Sequence, residues 1–160
     1  MQQEQYAAMI DELLGTPVEA VMFCLGEGRT MLHDTKVGEL LGHNMDKWNH
    51  IVFRRAYQNA KSLIDAGHDP LRIVCDRAHE KGLLLYPTLL MQLGGAEWAS
   101  DRCSDFRKNN KHLGIRESGE LNADFPFPDG LDFKHEAVRA ERLEIIEEVL
   151  TDYSVDGLEL

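Results

Sequence analysis

Two glutamates follow short apolar runs of the kind that form buried strands: Glu27 just after VEAVMFCL, and Glu159 inside the closing VDGLEL. Carboxylates in such places are suited to general acid/base work. The plain alternative for Glu27 is a solvated or capping carboxylate, and for Glu159 a carboxylate paired with a basic neighbour. His33 beside Asp34, and His43 beside Asn44, are residue types that ligate metals, yet no HxH, HxxxH or HExxH spacing accompanies them. Hydrogen-bonded structural histidines are therefore expected, and no metal site. The GEG at positions 26 to 28 lacks the third glycine of a dinucleotide fingerprint, and no GKS or GKT loop, GxSxG elbow or RNA-binding aromatic motif occurs.

Three cysteines, Cys24, Cys75 and Cys103, are widely spaced without a CxxC pair, which argues against a disulfide framework or a zinc knot. Cys24 in AVMFCL and Cys75 on the apolar face of Leu71, Val74 and Ala78 are expected to be buried. Cys103, in the polar stretch SDRCSDFRKNN, is expected at the surface, with no base in view to make it a nucleophile.

The elements that must position these groups alternate. Gln5 to Leu14 carries a helical repeat stopped by Gly15 and Pro17, and VEAVMFCL reads as a buried parallel strand. The 26 to 49 stretch is a long connection. A helix is expected over roughly His50 to Ala66, stopped by Gly67. Asp69 then caps a helix with Pro70 at its first position, which runs to Lys81-Gly82. LLLYPTLLM is a second strand in which Pro87 should interrupt pairing. The 92 to 130 stretch is again loop-like, a helix is expected over about Phe133 to Asp152 behind Asp132, and VDGLEL closes as a strand. Alternation of this kind calls for an α/β fold with a parallel sheet, and both long loops leave the carboxyl edge where such folds build sites.

The 160 residues suit one domain, and 43% hydrophobic content is ordinary for a globular chain. No apolar run approaches membrane-spanning length, and MQQEQYAAMIDELL lacks the basic start and apolar stretch of a secretory signal. A formal charge of -11, from 28 acidic and 17 basic residues, argues against nucleic-acid binding. Much of the acidity, Glu136, Glu141, Glu144, Glu147 and Glu148, is expected to form a solvated helix face.

Two blocks carry a resemblance. In LDFKHEAVRAERLEIIEEVLTDYSVDGLEL, the residues Leu131, Asp132, His135, Val138, Arg139, Tyr153, Val155, Asp156 and Gly157 resemble the glycoside hydrolase-like (β/α)8 barrels described as family 10-like, related more distantly to the amylase superfamily. DPLRIVCDRAHEKGLLLYPTLL resembles a second block of that family through Asp69, Pro70, Leu71, Ala78, His79, Lys81, Gly82 and Leu83. The resemblance spans about residues 50 to 160 and leaves the 26 to 49 loop without a counterpart. It departs at Tyr86-Pro87-Thr88, where members carry a His-containing or aromatic tip. It implies a single partial TIM (β/α)8 barrel over residues 1 to 160, covering about strands 2 to 4 with their helices, the first strand and strands 5 to 8 lying outside the chain, as would an Asp expected just after Leu160.

The function implied by the resemblance is acid/base hydrolysis of a glycosidic bond by two carboxylates at strand tips, without a cofactor and with a carbohydrate as partner. Glu159, and more weakly Glu27, are the candidate carboxylates in hand. The resemblance implies that the principal catalytic carboxylate is the Asp expected after Leu160, so that this piece alone is expected to be inactive and the full-length protein to be the hydrolase. His33, Trp48, Tyr86, Gln92, Arg102 and Arg107 are candidate substrate contacts, with Trp98 beside them, because sugars bind to aromatic faces and planar hydrogen-bonding groups. Packing anchors for their own loops are the plainer role for those aromatics. His79 and His135 are expected to be structural. A metal-dependent sugar-processing barrel and a catalytically silent carbohydrate-binding barrel remain the alternatives.

Overall fold

Val21, Phe23 and Leu25 alternate along β1 (Ala20–Glu27) with Ala20, Met22 and Cys24, as do Leu85, Pro87 and Leu89 along β4 (Leu84–Leu90) with Leu84, Tyr86, Thr88 and Leu90. Side chains of a strand point alternately to its two faces, so each strand presents one set to each side of the sheet. The two strands pair in parallel, Ala20 opposite Leu84 through Cys24 opposite Thr88. The computed structural model describes residues 3–91, 102–115 and 130–160.

Between the strands lie β2 (Thr30–Met31), β3 (Glu39–Leu40), α2 (Ile51–Asp65) and α3 (Pro70–Glu80); α1 (Gln3–Asp11) precedes them, and α4 (Asp105–Asn109), a short 3-10 turn at Lys111–Leu113 and α5 (Glu136–Asp152) follow. The sheet order is β3-β2-β1-β4, with β1 and β2 antiparallel and the other pairs parallel. Residues 154 to 160 continue it beyond β4: Asp156 and Glu159 donate their N–H groups to the carbonyls of Leu85 and Pro87, and Leu89 donates to Glu159. The result is a mixed α/β fold with five α-helices among the described residues.

VDGLEL forms an isolated bridge, Glu159 to Thr88, rather than a full strand. The Pro87 carbonyl faces this segment, so its nitrogen does too, and having no N–H it returns no ladder bond. The Asp156 carboxylate fills in from the side by accepting the Leu85 N–H at 2.7 Å.

One face of the sheet carries the core. Leu25, Met31, Leu85 and Leu89 pack there against Leu71, Val74, Cys75 and Ala78 of α3 and Ile145 and Val149 of α5. Asp69 caps α3 as its sequence requires, accepting the Leu71 N–H, with Pro70 at the first position. The α5 helix begins at Glu136, three residues later than Phe133, because Asp132 spends its side chain on a turn with the Lys134 N–H. Among the described residues no helix is long and apolar enough to cross a membrane.

The opposite sheet face is open, with Met22 53% and Leu84 44% exposed. Cys24 belongs to that face and is exposed, whereas Cys103 is buried, both contrary to the sequence reading. Alternation decides the first case. Burial of the second follows from its place beneath the turn that carries Asn44, whose side-chain amide donates to the Cys103 carbonyl.

Leu25 is an extra residue in the ladder: Gly26, not Leu25, stands opposite Leu89, and Glu27 stands opposite Leu90. This β-bulge reverses the alternation, so Glu27 shares the open face with Leu90 instead of following Leu25 into the core. The next turn closes a hairpin onto β2, a feature not anticipated from the long 26 to 49 connection. Gly28, at φ +63°, takes the first central position of a two-residue hairpin turn. Gly26 has φ +145°, and a Cβ there would lie 2.0 Å from the Thr30 carbonyl oxygen. Gly26→Ala should therefore destabilise the protein by about 3 kcal/mol or more in urea denaturation; a loss under about 1 kcal/mol would show that the bulge can move aside.

Candidate functional site

The carboxyl ends of β1, β4 and the closing segment bring a row of polar groups to the open face. Cys24, Thr88 and Glu159 lie side by side on successive strands. The Thr88 hydroxyl donates to Glu159 Oε2 at 2.5 Å, and Glu159 is exposed. Tyr86, half-buried, lies one step down the same face with its ring over Gly157, where a Cβ would come within 2.7 Å of the ring.

Glu27 meets Arg102, whose Nη1 lies 2.8 Å from Oε1, and the pair is mostly shielded. The same guanidinium stacks over Phe53 at 4.7 Å, and the Arg102 carbonyl accepts from the Thr30 hydroxyl at 3.2 Å. Arg102 is thus clamped to both ends of the 26 to 53 region.

Trp48 stands apart from this row. Its ring covers Gly42 and lies 5.4 Å from the Tyr57 ring, at the rim of a groove lined by Asp46, Lys47, Arg54 and Gln58. An aromatic face flanked by planar and charged hydrogen-bonding groups is the surface a polyhydroxylated ligand would use. Gln92 and Trp98 lie outside the described residues.

Arg107 and His33 do not reach solvent. Arg107 is 7% exposed on α4, and His33 is 1% exposed, so neither is available as a substrate contact in this structure. The reason for His33 is a buried polar network. Its Nε2 lies 3.5 Å from Glu148 Oε2, which also accepts from the Thr35 hydroxyl, while Oε1 accepts from the Lys36 N–H. The His33 ring meets Tyr153 edge-on, and Tyr153 donates to Asp69 at 2.5 Å. Burial raises the Tyr153 pKa, and the Asp69 carboxylate pushes it further.

The expected solvated acidic face of α5 is only partly so. Glu141 and Glu148 are 3% and 8% exposed. Glu141 pairs with Arg142 and faces Arg29, and Arg142 also donates to the Met91 carbonyl. Burial raises the Glu141 pKa against the pull of those arginines. These contacts tie α5 to the hairpin that follows β1.

The two sequence blocks meet each other. Asp69 holds Tyr153, and His79 Nε2 lies 2.8 Å from Asp156 Oδ2. These four residues do a structural job, fastening α3 to the closing segment. His135 stands at the N-cap position of α5 without a side-chain cap bond.

One cluster escaped the sequence reading. Glu39, His43 and Asp105 bring one ligand atom each to within 4.8 Å of one another. The Glu-x-x-x-His spacing is the only local trace of it, and Asp105 comes from far along the chain. Compared with models of known protein families and with curated proteins, the chain matches none.

Burial alone would raise the Glu148 pKa, but the bonds from His33, Thr35 and the Lys36 N–H outweigh it and bring the group down to about 2. A depressed carboxylate contributes stability that is complete above its free value of 4.5 and is lost as pH falls toward 2. Chemical denaturation across that window should show stability declining with acid, and Glu148→Gln should flatten the decline while costing about 2 kcal/mol at neutral pH.

Proposed function

We propose that this chain is a carbohydrate-active domain of the partial (β/α)8 barrel type, covering strands two to four, and that it cleaves glycosidic bonds with Glu27 and Glu159. The observation that carries the reading is the bulge at Leu25, which turns Glu27 onto the sheet face that Glu159 occupies. Bulges beside active sites commonly re-aim a side chain in this way. The two glutamates flank β4, one strand to either side. Neighbouring strands lie about 4.8 Å apart, so the two backbones are separated by roughly 10–12 Å. For the proposed chemistry the two carboxyl groups would have to lean over β4 to within the roughly 5–9.5 Å that glycosidases use.

Glu27, ion-paired with Arg102, is proposed as the base or nucleophile. Glu159, whose Oε2 accepts from the Thr88 hydroxyl, is the second carboxylate beside the scissile bond. Tyr86 supplies an aromatic surface beside Glu159, and the Trp48–Tyr57 groove a further place for a sugar ring.

The barrel reading rests on the open face. Parallel sheets are almost always covered on both sides, and here one side carries the helices while the other exposes Met22, Leu84 and Leu90. In a barrel that second side faces the interior. Strand order also follows chain order through β1, β4 and the closing segment, each strand being preceded by a helix.

The test is hydrolysis of a panel of nitrophenyl glycosides and oligosaccharides, with sugar binding followed in parallel by calorimetry. Glu159→Gln and Glu27→Gln are each expected to lower kcat by about 10²- to 10⁴-fold with the fold intact by circular dichroism. Sugar binding without cleavage would replace the enzyme with a binding domain. Neither binding nor cleavage would overturn the proposal.

A further inference from the structure

We propose that Glu39, His43 and Asp105 form a binding site for a divalent transition-metal ion of the zinc or manganese type. The site stands on its own geometry and does not rest on the glycosidase reading. Glu39 comes from β3, His43 from the turn that follows it, and Asp105 from the start of α4.

The argument begins with the imidazole. His43 Nδ1 lies 3.0 Å from the Leu40 carbonyl, an acceptor outside the cluster, so Nδ1 carries the hydrogen. In the neutral ring Nε2 is then a bare lone pair. It faces Asp105 Oδ2 at 3.0 Å and Glu39 Oε2 at 3.5 Å. His43 Nε2 and Asp105 Oδ2 are then facing acceptors, with Glu39 Oε2 beside them, and a cation can bridge them: a proton on Nε2 or a metal ion.

The spacing admits a metal as well as a hydrogen bond. Ligands bonded at about 2.1 Å stand about 3.0 Å apart around an octahedral ion and about 3.4 Å apart around a tetrahedral one. The two histidine-to-carboxylate separations are 3.0 and 3.5 Å. One imidazole and two carboxylates form a mixed nitrogen and oxygen donor set, which suits zinc, manganese, iron or cobalt better than calcium or magnesium.

The surrounding bonds hold the ligands as an outer shell would. Asp105 Oδ1 accepts from the Asn44 amide at 2.7 Å, leaving Oδ2 for the ion. Glu39 Oε2 accepts the Asp105 N–H at 2.7 Å and keeps a second lone pair for the ion, while Oε1, the oxygen turned away from His43, accepts the Phe106 N–H and lies 3.6 Å from Arg29. Such bonds fix carboxylate orientation and ring tautomer at metal centres. The His43 and Asp105 side chains are 32% and 51% exposed, so an ion can enter from solvent and keep water or a substrate oxygen in its remaining positions.

The full chain, stripped with a chelator, would be titrated with Zn²⁺ and separately with Mn²⁺ at pH 7.5 by calorimetry. One ion per chain is expected for Zn²⁺, with the nitrogen resonances of the His43 ring shifting on addition. His43→Ala should weaken binding by at least about 100-fold, and Asn44→Ala, which removes the outer amide, by about 10-fold. His79→Ala, which alters a histidine–aspartate pair elsewhere, should leave binding unchanged. The proposal is overturned if the chain shows no saturable uptake of either ion below roughly 1 mM, since a proton is then the occupant. Equal affinity in His43→Ala, or a Zn²⁺ response at other histidines with the His43 signals unmoved, would overturn it as well.

Discussion

The parallel ladder between β1 and β4 is the constraint on which the other contacts depend. It puts Leu25, Leu85 and Leu89 on one side, where α3 and α5 can cover them, and Met22, Cys24 and Tyr86 on the other. Slipping the register by one residue would exchange the two sets. Its single irregularity is placed at the carboxyl edge. There the extra Leu25 keeps its own side chain in the core while sending Glu27 to the open face, and Gly26 lets the chain turn back as β2. Glycine is required because the Thr30 carbonyl occupies the space a side chain would need.

From that hairpin two sets of functional groups diverge. On the sheet side, Thr30 and Arg102 close over Glu27, and Thr88 supports Glu159. On the outer side, β3 pairs with β2 and delivers Glu39 to His43 and Asp105. Arg29, at the tip of the turn, faces Glu39, Glu141 and Glu144 and so joins the outer cluster to α5. A short hairpin that engages the sheet, a helix and a loop at once is held far more firmly than its two-residue strands would hold themselves.

The acidic composition is spent partly inside the molecule. Buried Glu148 anchors the 33 to 36 turn and buried Glu141 pairs with Arg142, while Asp69 and the exposed Asp156 fasten α3 and β4 to the segment after α5. Burying such groups costs free energy unless each is paired, and the pairing is supplied by residues far away in the chain. The network is therefore cooperative, since removing one partner strands another.

Local chemistry alone determined a good part of this. The Asp69-Pro70 start of α3, the extent of α2, the two apolar runs that became β1 and β4, and the interruption at Pro87 are all properties of a few neighbouring residues: a cap, a fixed φ, a repeat, a missing N–H. Tertiary structure decided what those residues face. β2 and β3 are too short to carry a pattern: β2 exists because β1 is there to pair with, and β3 because β2 is. Whether Glu27 follows Leu25 inward or turns out is set by one bulge in a ladder formed with residues some sixty positions later. The burial of His33, Glu148 and Cys103, and the meeting of Glu39 and His43 with Asp105, arise in the same way. Periodicity reports the direction of a side chain relative to its own helix or strand, whereas burial and partnership depend on which distant segment packs against it.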